Sequence, residues 1–322
     1  MRVLITGGAG FIGSHLCDKL LLSESEIVVL DNFSTGSINN IAHLSKKIKI
    51  INGSILDNGR IEKLVKKSDL VIHLAAAVGV FTILQDPITS ISTNYHGSEN
   101  ILIACAKFNK KIIIASTSEI YGKNLNQPLS ETDDRVMGPP QKLRWTYADS
   151  KALEESLAFA MHLAMNLQVI TVRFFNVVGP RQSGAYGMVL PRFVNAALSN
   201  NPIEIFGDGS QKRVFCHVSD VTSAIVKLVN CQEAVGNVFN IGGNEEISIV
   251  DLAKLVKEQL NSKSDFIFTP YEDAYGLNFE DMQRRCPNLE KIKKFISWEP
   301  SLTLRDIITD IAQHKTKVLY PK

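Results

Sequence analysis

The feature that most restricts how this chain can fold is its N-terminal run Val3-Leu4-Ile5-Thr6-Gly7-Gly8-Ala9-Gly10-Phe11-Ile12-Gly13. The apolar residues read as a fully buried strand, the glycines as a tight turn, and the apolar spacing from Phe11 to Leu22 as a helix. Side chains at Gly7, Gly10 and Gly13 would hold the backbone away from a pyrophosphate and the helix away from the strand. Free N–H groups at the helix start receive an anion. Strand, turn and helix together predict a dinucleotide site. The run Ile27-Val28-Val29-Leu30 then ends in Asp31, eighteen residues past Gly13. An acid at that distance accepts hydrogen bonds from the adenosine ribose and repels a 2′-phosphate. The following Asn32-Phe33-Ser34-Thr35-Gly36 contains no Arg or Lys, so NAD is expected rather than NADP.

The alternation continues with nearly all-apolar runs at 48–51, 70–74, 111–115 and 169–172, separated by helical patterns at 61–65, 87–105 and 145–167. Such runs belong to a parallel sheet covered on both faces. The expected fold class is α/β, a doubly wound parallel Rossmann sheet with strand order 3-2-1-4-5-6 and right-handed crossovers. Beyond about Asn176 the pattern loosens into helices at 190–198, 221–229, 249–260 and 304–314, with short strands at 203–206 and 238–241. This part is expected to form a smaller C-terminal α+β substrate domain, folded against the carboxyl ends of the strands where open α/β sheets bind ligands.

Thirty-five Lys and Arg against 33 Asp and Glu give a formal net charge of +2, and the charges are interspersed. That balance predicts neither a nucleic-acid partner nor a membrane surface. Five cysteines without a C-x-x-C pair argue against a secreted disulfide framework, and seven histidines form no metal-ligand spacing, so no metal is expected. The N-terminus lacks a signal-peptide layout, and the longest mainly apolar run, 70–84, is interrupted by His73 and Gly79 and too short to span a bilayer. A soluble cytoplasmic enzyme is expected.

Tyr147 and Lys151 lie one turn apart on one face of the predicted helix. A free phenol titrates near ~10, so it needs a neighbouring cation to act as a base at neutrality, which Lys151 and a nicotinamide can supply. A surface Tyr and Lys would show the same spacing. Ser116-Thr117-Ser118-Glu119 follows the fifth strand at the sheet's carboxyl edge, where hydroxyls can hold a substrate oxygen and a carboxylate can exchange a proton. On the residues alone, this stretch reads more simply as a strand end with a capped turn. His73 and His217, in apolar strands, read as satisfied core histidines.

Several stretches together resemble the extended short-chain dehydrogenase/reductases that act on nucleotide sugars. They are Thr6 to Gly13, Leu74-Ala75-Ala76, Tyr147-x-x-x-Lys151, Arg173-Phe174-Phe175-Asn176-Val177-Val178-Gly179-Pro180-Arg181, Gly207-Asp208-Gly209-x-Gln211-x-Arg213 and Trp298-Glu299-Pro300. The resemblance runs end to end and implies an NAD-binding domain of 1–174 plus about 215–241, with 175–214 and 242–322 binding the nucleotide sugar. It adds Phe11, Ile12, Ser54, Ile55, Leu74, Ala75, Ala76 and Asn94 to the cofactor contacts, beside Asp31, Asn32, Ser34, Thr35, Gly36, Tyr147 and Lys151. It implies substrate contacts from Asn176, Arg181, Leu190, Phe206, Arg213 and Arg284, with the segment 76–84 near the sugar. It also implies a homodimer through the helices at 87–108 and 145–167.

Within that family, Thr117-Ser118-Glu119 is similar to the segment of UDP-glucuronate decarboxylases and GDP-mannose 4,6-dehydratases, whereas simple 4-epimerases tend to lack the carboxylate. Gly138-Pro139-x-x-x-x-Arg144-Trp145-x-Tyr147-x-x-Ser150-Lys151 and Gln211-Lys212-Arg213 most resemble the decarboxylases. The resemblance therefore implies decarboxylation of a UDP-hexuronic acid, UDP-glucuronate first, to a UDP-pentose. Tyr147 would be the base, Lys151 would lower its pKa, Thr117 would hold the oxygen, and Glu119 would serve C5 with help from Ser118 or Arg213. A nucleotide-sugar 4-epimerase or 4,6-dehydratase is the alternative, and an NAD-binding regulatory protein without turnover is the alternative of another class.

Overall fold

The computed structural model describes residues 1–79, 83, 85–184, 188–275, 280 and 282–319, so 80–82 and 84 of the segment expected near the sugar lie outside the described residues. Its strands are β1 (Arg2–Thr6), β2 (Glu26–Asp31), β3 (Lys49–Asn52), β4 (Leu70–His73), β5 (Lys111–Thr117), β6 (Val169–Phe174), β7 (Val177–Val178), β8 (Ile203–Phe206), β9 (Lys212–Val214), β10 (Cys216–His217), β11 (Val238–Ile241), β12 (Glu246–Ser248), β13 (Phe266–Thr269) and β14 (Arg284–Arg285). Its helices are α1 (Phe11–Leu21), α2 (Asn58–Lys66), α3 (Pro87–Lys107), α4 (Thr146–Met165), α5 (Val189–Leu198), α6 (Val218–Val229), α7 (Ile249–Gln259), α8 (Tyr271–Tyr275), α9 (Glu290–Ile296) and α10 (Leu304–Leu319).

Seven parallel strands form the main sheet in the order β3-β2-β1-β4-β5-β6-β11. The first six follow the order read from the sequence, and β11 adds a seventh outside β6, with Val238 opposite Thr171. Both faces are buried, which is why the strand runs are apolar rather than alternating. Successive residues still point to opposite faces. Val3, Ile5, Val29 and Ile72 pack with Leu16 of α1 and Val221 and Ile225 of α6. Leu4, Val28, Leu30 and Val71 pack with Ile61 of α2, Ile101 of α3 and Ala158 of α4. A further apolar cluster joins Leu190 and Phe193 of α5, Leu252 and Val256 of α7, and Ile307 and Ile311 of α10. Because the sheet is parallel, the turn after β1 and the segments after β4, β5 and β6 all emerge at one edge.

The helix that carries Tyr147 is fixed at its start and along its length. It opens after a 3₁₀ turn at Leu143–Trp145 and ends where Asn166 turns left-handed at φ 55°. Trp145 is fully buried, and its indole N–H donates to Glu280 at 3.1 Å. Further along, Glu155 accepts from Arg173 of β6, at 3.0 Å from Nε and 2.7 Å from Nη2. Arg173 Nη1 donates to the Tyr121 hydroxyl, which in turn donates to Asn240 Oδ1 of β11, both at 2.8 Å. Removing one member of such a pair leaves a charge without its partner in a desolvated place. Glu155→Ala is expected to lower the free energy of unfolding by roughly 3 kcal/mol, read from urea denaturation, while the folded fraction keeps its NAD affinity.

Candidate active site

A cleft of about 1010 Å³ opens at the carboxyl edge of the sheet. Its floor starts at the glycine turn. Gly7 has φ +72°, and a Cβ there would stand 2.8 Å from the Ala75 backbone nitrogen; at Gly13 it would stand 2.3 Å from the Gly7 carbonyl oxygen. Glycine at these two positions therefore lets α1 and the segment after β4 close onto the turn. The α1 N-terminus has no side-chain cap and no acidic residue in its first turn, so its N–H groups remain available to an anion.

Asp31, at the end of β2, accepts from Ala9 N–H at 2.9 Å and from Phe33 N–H at 2.8 Å. A carboxylate offers about four lone-pair sites, which leaves capacity for ribose hydroxyls. Gly7, Gly10, Phe11, Ile12, Gly13, Asp31, Asn32, Ser34, Thr35, Gly36, Ser54, Ile55, Leu74, Ala75 and Ala76 all line the cleft. The anion-ready helix end, the acid and a backbone floor bare of side chains fit NAD. Asn94 and Lys151 do not line it. Asn94 instead clamps the segment after β4, accepting from Ala77 N–H at 2.7 Å and donating to Ala77 O at 3.1 Å.

Thr117, Ser118, Glu119 and Tyr147 meet in the middle of the cleft. Thr117 and Tyr147 are hydrogen-bonded through their hydroxyls. Glu119, only 16% exposed, is paired with Arg144 at 2.5 Å and with Arg285. Burial alone would raise its pKa, but the two guanidiniums more than reverse this and hold the carboxyl well below its usual range. Arg144 lies over the Trp145 ring, 5.5 Å from its centroid, and Arg285 also donates to Asn176 Oδ1 at 2.7 Å. Asn176 Nδ2 in turn donates to Val214 O at 2.8 Å.

Glu119 is held by Arg144 and Arg285, while Ser118 and Arg213, expected to help it at C5, line the same cleft. Two expectations need correction. Arg284 lies outside the cleft lining, its exposed guanidinium 2.6 Å from Glu246, because neighbours on a strand face opposite sides and its neighbour Arg285 takes the inward place. The proton on Tyr147 is held more tightly than usual, not less: burial comes first, then the charges of Glu119 and Glu154. Glu154 sits 2.5 Å from Lys151 and so offsets the cation expected to lower the phenol pKa.

The other substrate candidates, Asn176, Arg181, Leu190, Phe206 and Arg213, all line the cleft. Arg181 is also paired with Asp18 of α1 at 2.8 Å, and Arg192 lies over the Phe206 ring at 4.1 Å from its centroid. His73 is a satisfied core histidine, bonded to Thr6 and Ser98, with its pKa pushed down to about 3 by burial first and by Lys151 second. His217 is likewise bonded, to Ser219 and Asp310. Among the described residues no cluster of His, Cys, Asp and Glu could hold a metal, and no helix is long and apolar enough to cross a membrane.

A sequence profile of the NAD dependent epimerase/dehydratase family matches residues 3–242. Over 303 residues, 94% of either chain, the protein is 41% identical to a UDP-N-acetyl-alpha-D-glucosaminuronate decarboxylase of Bacillus cytotoxicus. It is 33% identical over 306 residues to UDP-glucuronic acid decarboxylase 1 of Arabidopsis thaliana, covering 95% of this chain and 68% of that one. The solved structure of a UDP-glucuronic acid 4-epimerase from Bacillus cereus, in complex with UDP-glucuronic acid and NAD, superposes with a TM-score of 0.89 at 28% identity, covering 99% and 100% of the two chains.

Two measurements test the geometry. Gly13→Ala is expected to weaken NAD binding by roughly tenfold or more, read by calorimetry, because the new Cβ pushes α1 off the turn. Glu119 has a folded-state pKa below its unfolded value, so its contribution to stability is complete above about pH 4.3 and is lost as pH falls. Between about pH 4 and 2, Glu119→Gln is expected to lose stability with a slope smaller by up to one proton than the parent's, read from urea midpoints.

Proposed function

The chain belongs to the NAD dependent epimerase/dehydratase family, and from that premise we propose that it decarboxylates a UDP-hexuronic acid through a 4-keto intermediate. The observation that carries the reading is Glu119, a carboxylate set between Arg144 and Arg285 in the same cleft as Tyr147. A 4-epimerase needs only to oxidise and reduce C4 and has no use for this group. Two guanidiniums against one carboxylate also suit a substrate that brings a carboxylate of its own.

The turn Gly7 to Gly13 would hold the pyrophosphate of NAD, with Asp31 at the adenosine ribose and Lys151 at the nicotinamide side. NAD, when bound, supplies the oxidant that takes hydride from C4 and later returns it. Tyr147 takes the 4-hydroxyl proton, and Thr117 holds the same oxygen. Once C4 is a ketone, the C6 carboxylate belongs to a β-keto acid. Its C5–C6 bond breaks, the electron pair moves into the ketone as an enolate, and carbon dioxide leaves. Arg285 and Arg144 receive the substrate carboxylate. While the substrate carboxylate competes for them, their hold on Glu119 loosens and its proton affinity rises, so Glu119 takes up a proton from solvent. Once that carboxylate has left as carbon dioxide, the guanidiniums return to Glu119, which gives the proton to C5 of the enolate.

On this reading, 175–214 and 242–322 bind the nucleotide sugar, with Arg181, Leu190, Phe206 and Arg213 facing it. The exposed apolar residues Ile88 and Ile91 of α3 and Leu153 and Phe159 of α4 suit a homodimer face, and five free cysteines, three of them buried, suit a reducing cytoplasm. The higher identity to the Bacillus cytotoxicus relative favours a second reading of the sugar, with an acetamido group at C2.

The test offers the purified protein UDP-glucuronate and UDP-N-acetylglucosaminuronate and follows carbon dioxide and the nucleotide product by mass and NMR. Carbon dioxide with a UDP-pentose, or its 2-acetamido form, is expected from at least one of them. A product that retains all six sugar carbons would replace decarboxylation by epimerisation. Tyr147→Phe should lower turnover at least ~10²-fold with NAD binding kept, and Glu119→Gln should be strongly impaired in releasing carbon dioxide.

A further inference from the structure

Lys151 and Glu154 form an ion pair that is almost entirely out of solvent, with side chains 2% and 1% exposed and Nζ 2.5 Å from Oε2. Glu154 is also hydrogen-bonded to Ser98 of α3. Ser98 meets His73 Nε2 at 2.9 Å, and His73 Nδ1 meets Thr6 Oγ1 at 2.7 Å, so one chain of polar groups runs from Lys151 to the strand that bears the glycine turn. A buried ion pair is weak evidence for stability, because desolvating two charges costs about as much as their attraction returns. Its electrostatic effect on a neighbour has a definite sign. A lone ammonium beside a phenol favours the phenolate, whereas an ammonium with a carboxylate against it presents a dipole, whose field falls off faster with distance.

We propose that Glu154 is a positioning residue that cancels the charge of Lys151, so that the proton on Tyr147 is released by the arrival of the oxidised nicotinamide rather than by the lysine. This rests on the roles proposed above for Tyr147, Lys151 and NAD. Tyr147 must give up a proton in the oxidising half of the turnover and recover it in the reducing half. With Lys151 cancelled, the charge that differs between the halves is that of the nicotinamide, and the proton affinity of Tyr147 follows it. The groups that face the trio are consistent with this. Glu119 with Arg144 and Arg285 stands on the cleft side of Tyr147; Glu155 neighbours Glu154 along the helix; His73 is bonded to Ser98 and is close enough to Lys151 to feel its charge. Burial, Glu119 and Glu154 together hold the Tyr147 proton in place.

The experiment titrates Tyr147 in the NAD⁺ holoenzyme by the NMR shift of its ring Cζ, in protein labelled at all seven tyrosines, with Tyr147→Phe identifying the signal. Glu154→Gln keeps the size and hydrogen bonding of the side chain but removes the charge, and its Tyr147 midpoint is expected to lie at least about one pH unit below the parent's. Glu154→Asp restores the charge and is expected to bring the midpoint back toward the parent's. If Glu154→Gln does not fold, the double variant Lys151→Met with Glu154→Leu replaces the pair by apolar groups of similar size. Its midpoint is expected within about half a pH unit of the parent's. An unmoved midpoint in folded Glu154→Gln, or a larger shift in the double variant, overturns the proposal. Turnover retained by Tyr147→Phe would instead overturn the assignment of the base, so the two failures are distinguishable.

Discussion

The turn after β1 touches two other segments at backbone distance. A Cβ on Gly7 would press into Ala75, and one on Gly13 into the Gly7 carbonyl, at 2.8 and 2.3 Å. Three separate pieces of chain are thereby fixed together: the start of α1, the end of β1 and the segment after β4. That segment is held from its far side by Asn94 of α3, which bonds both polar backbone atoms of Ala77. The nucleotide end of the cleft is thus built from backbone, and rigid helices brace it. Chemistry at the other end can vary while this end stays the same, which accounts for one fold carrying 4-epimerases and decarboxylases alike.

Parallel pairing does the rest of the positioning. β5 runs beside β6 from Ile112 to Thr117, with Thr117 opposite Phe174, so the hydroxyls after β5 and the loop after β6 emerge side by side. Arg173, one residue earlier, ties β6 to α4 through Glu155 and thereby sets the distance of the Tyr147 helix from the sheet.

Periodicity made the sheet legible. Runs buried on both faces leave a continuous apolar signature, and the six-strand order followed from their alternation with helices; 238–241 reads only as a short strand, and its place as a seventh strand beside β6 shows in the structure. The nucleotide end was legible for the same reason that it is rigid: glycine spacing and the placing of Asp31 are local. Arg285 was not legible. It reaches Glu119 across 166 residues of sequence, and nothing in a two-residue strand says which of Arg284 and Arg285 faces inward until its pairing with β9 sets the register. Asn94, a cofactor contact by resemblance, bonds both polar backbone atoms of Ala77, a tertiary contact that its position in the helix pattern does not reveal. The spacing of Glu154 to Lys151 is plain in the helix, yet its meaning depends on both being buried, which α3 and the sheet decide.

Two carboxylates flank Tyr147, and burial pushes the proton affinity of both upward. They end on opposite sides of the ordinary range because of their partners. Glu119 has two guanidiniums, which hold it ionised; Glu154 has one ammonium and one hydroxyl, which do not fully offset its desolvation. The arginines cannot lose their charge, so they keep Glu119 ionised down to acid pH. Glu154 has no such guard and responds to the charge of its single cation. The phenol between them carries the sum, since both carboxylates add to burial in holding its proton.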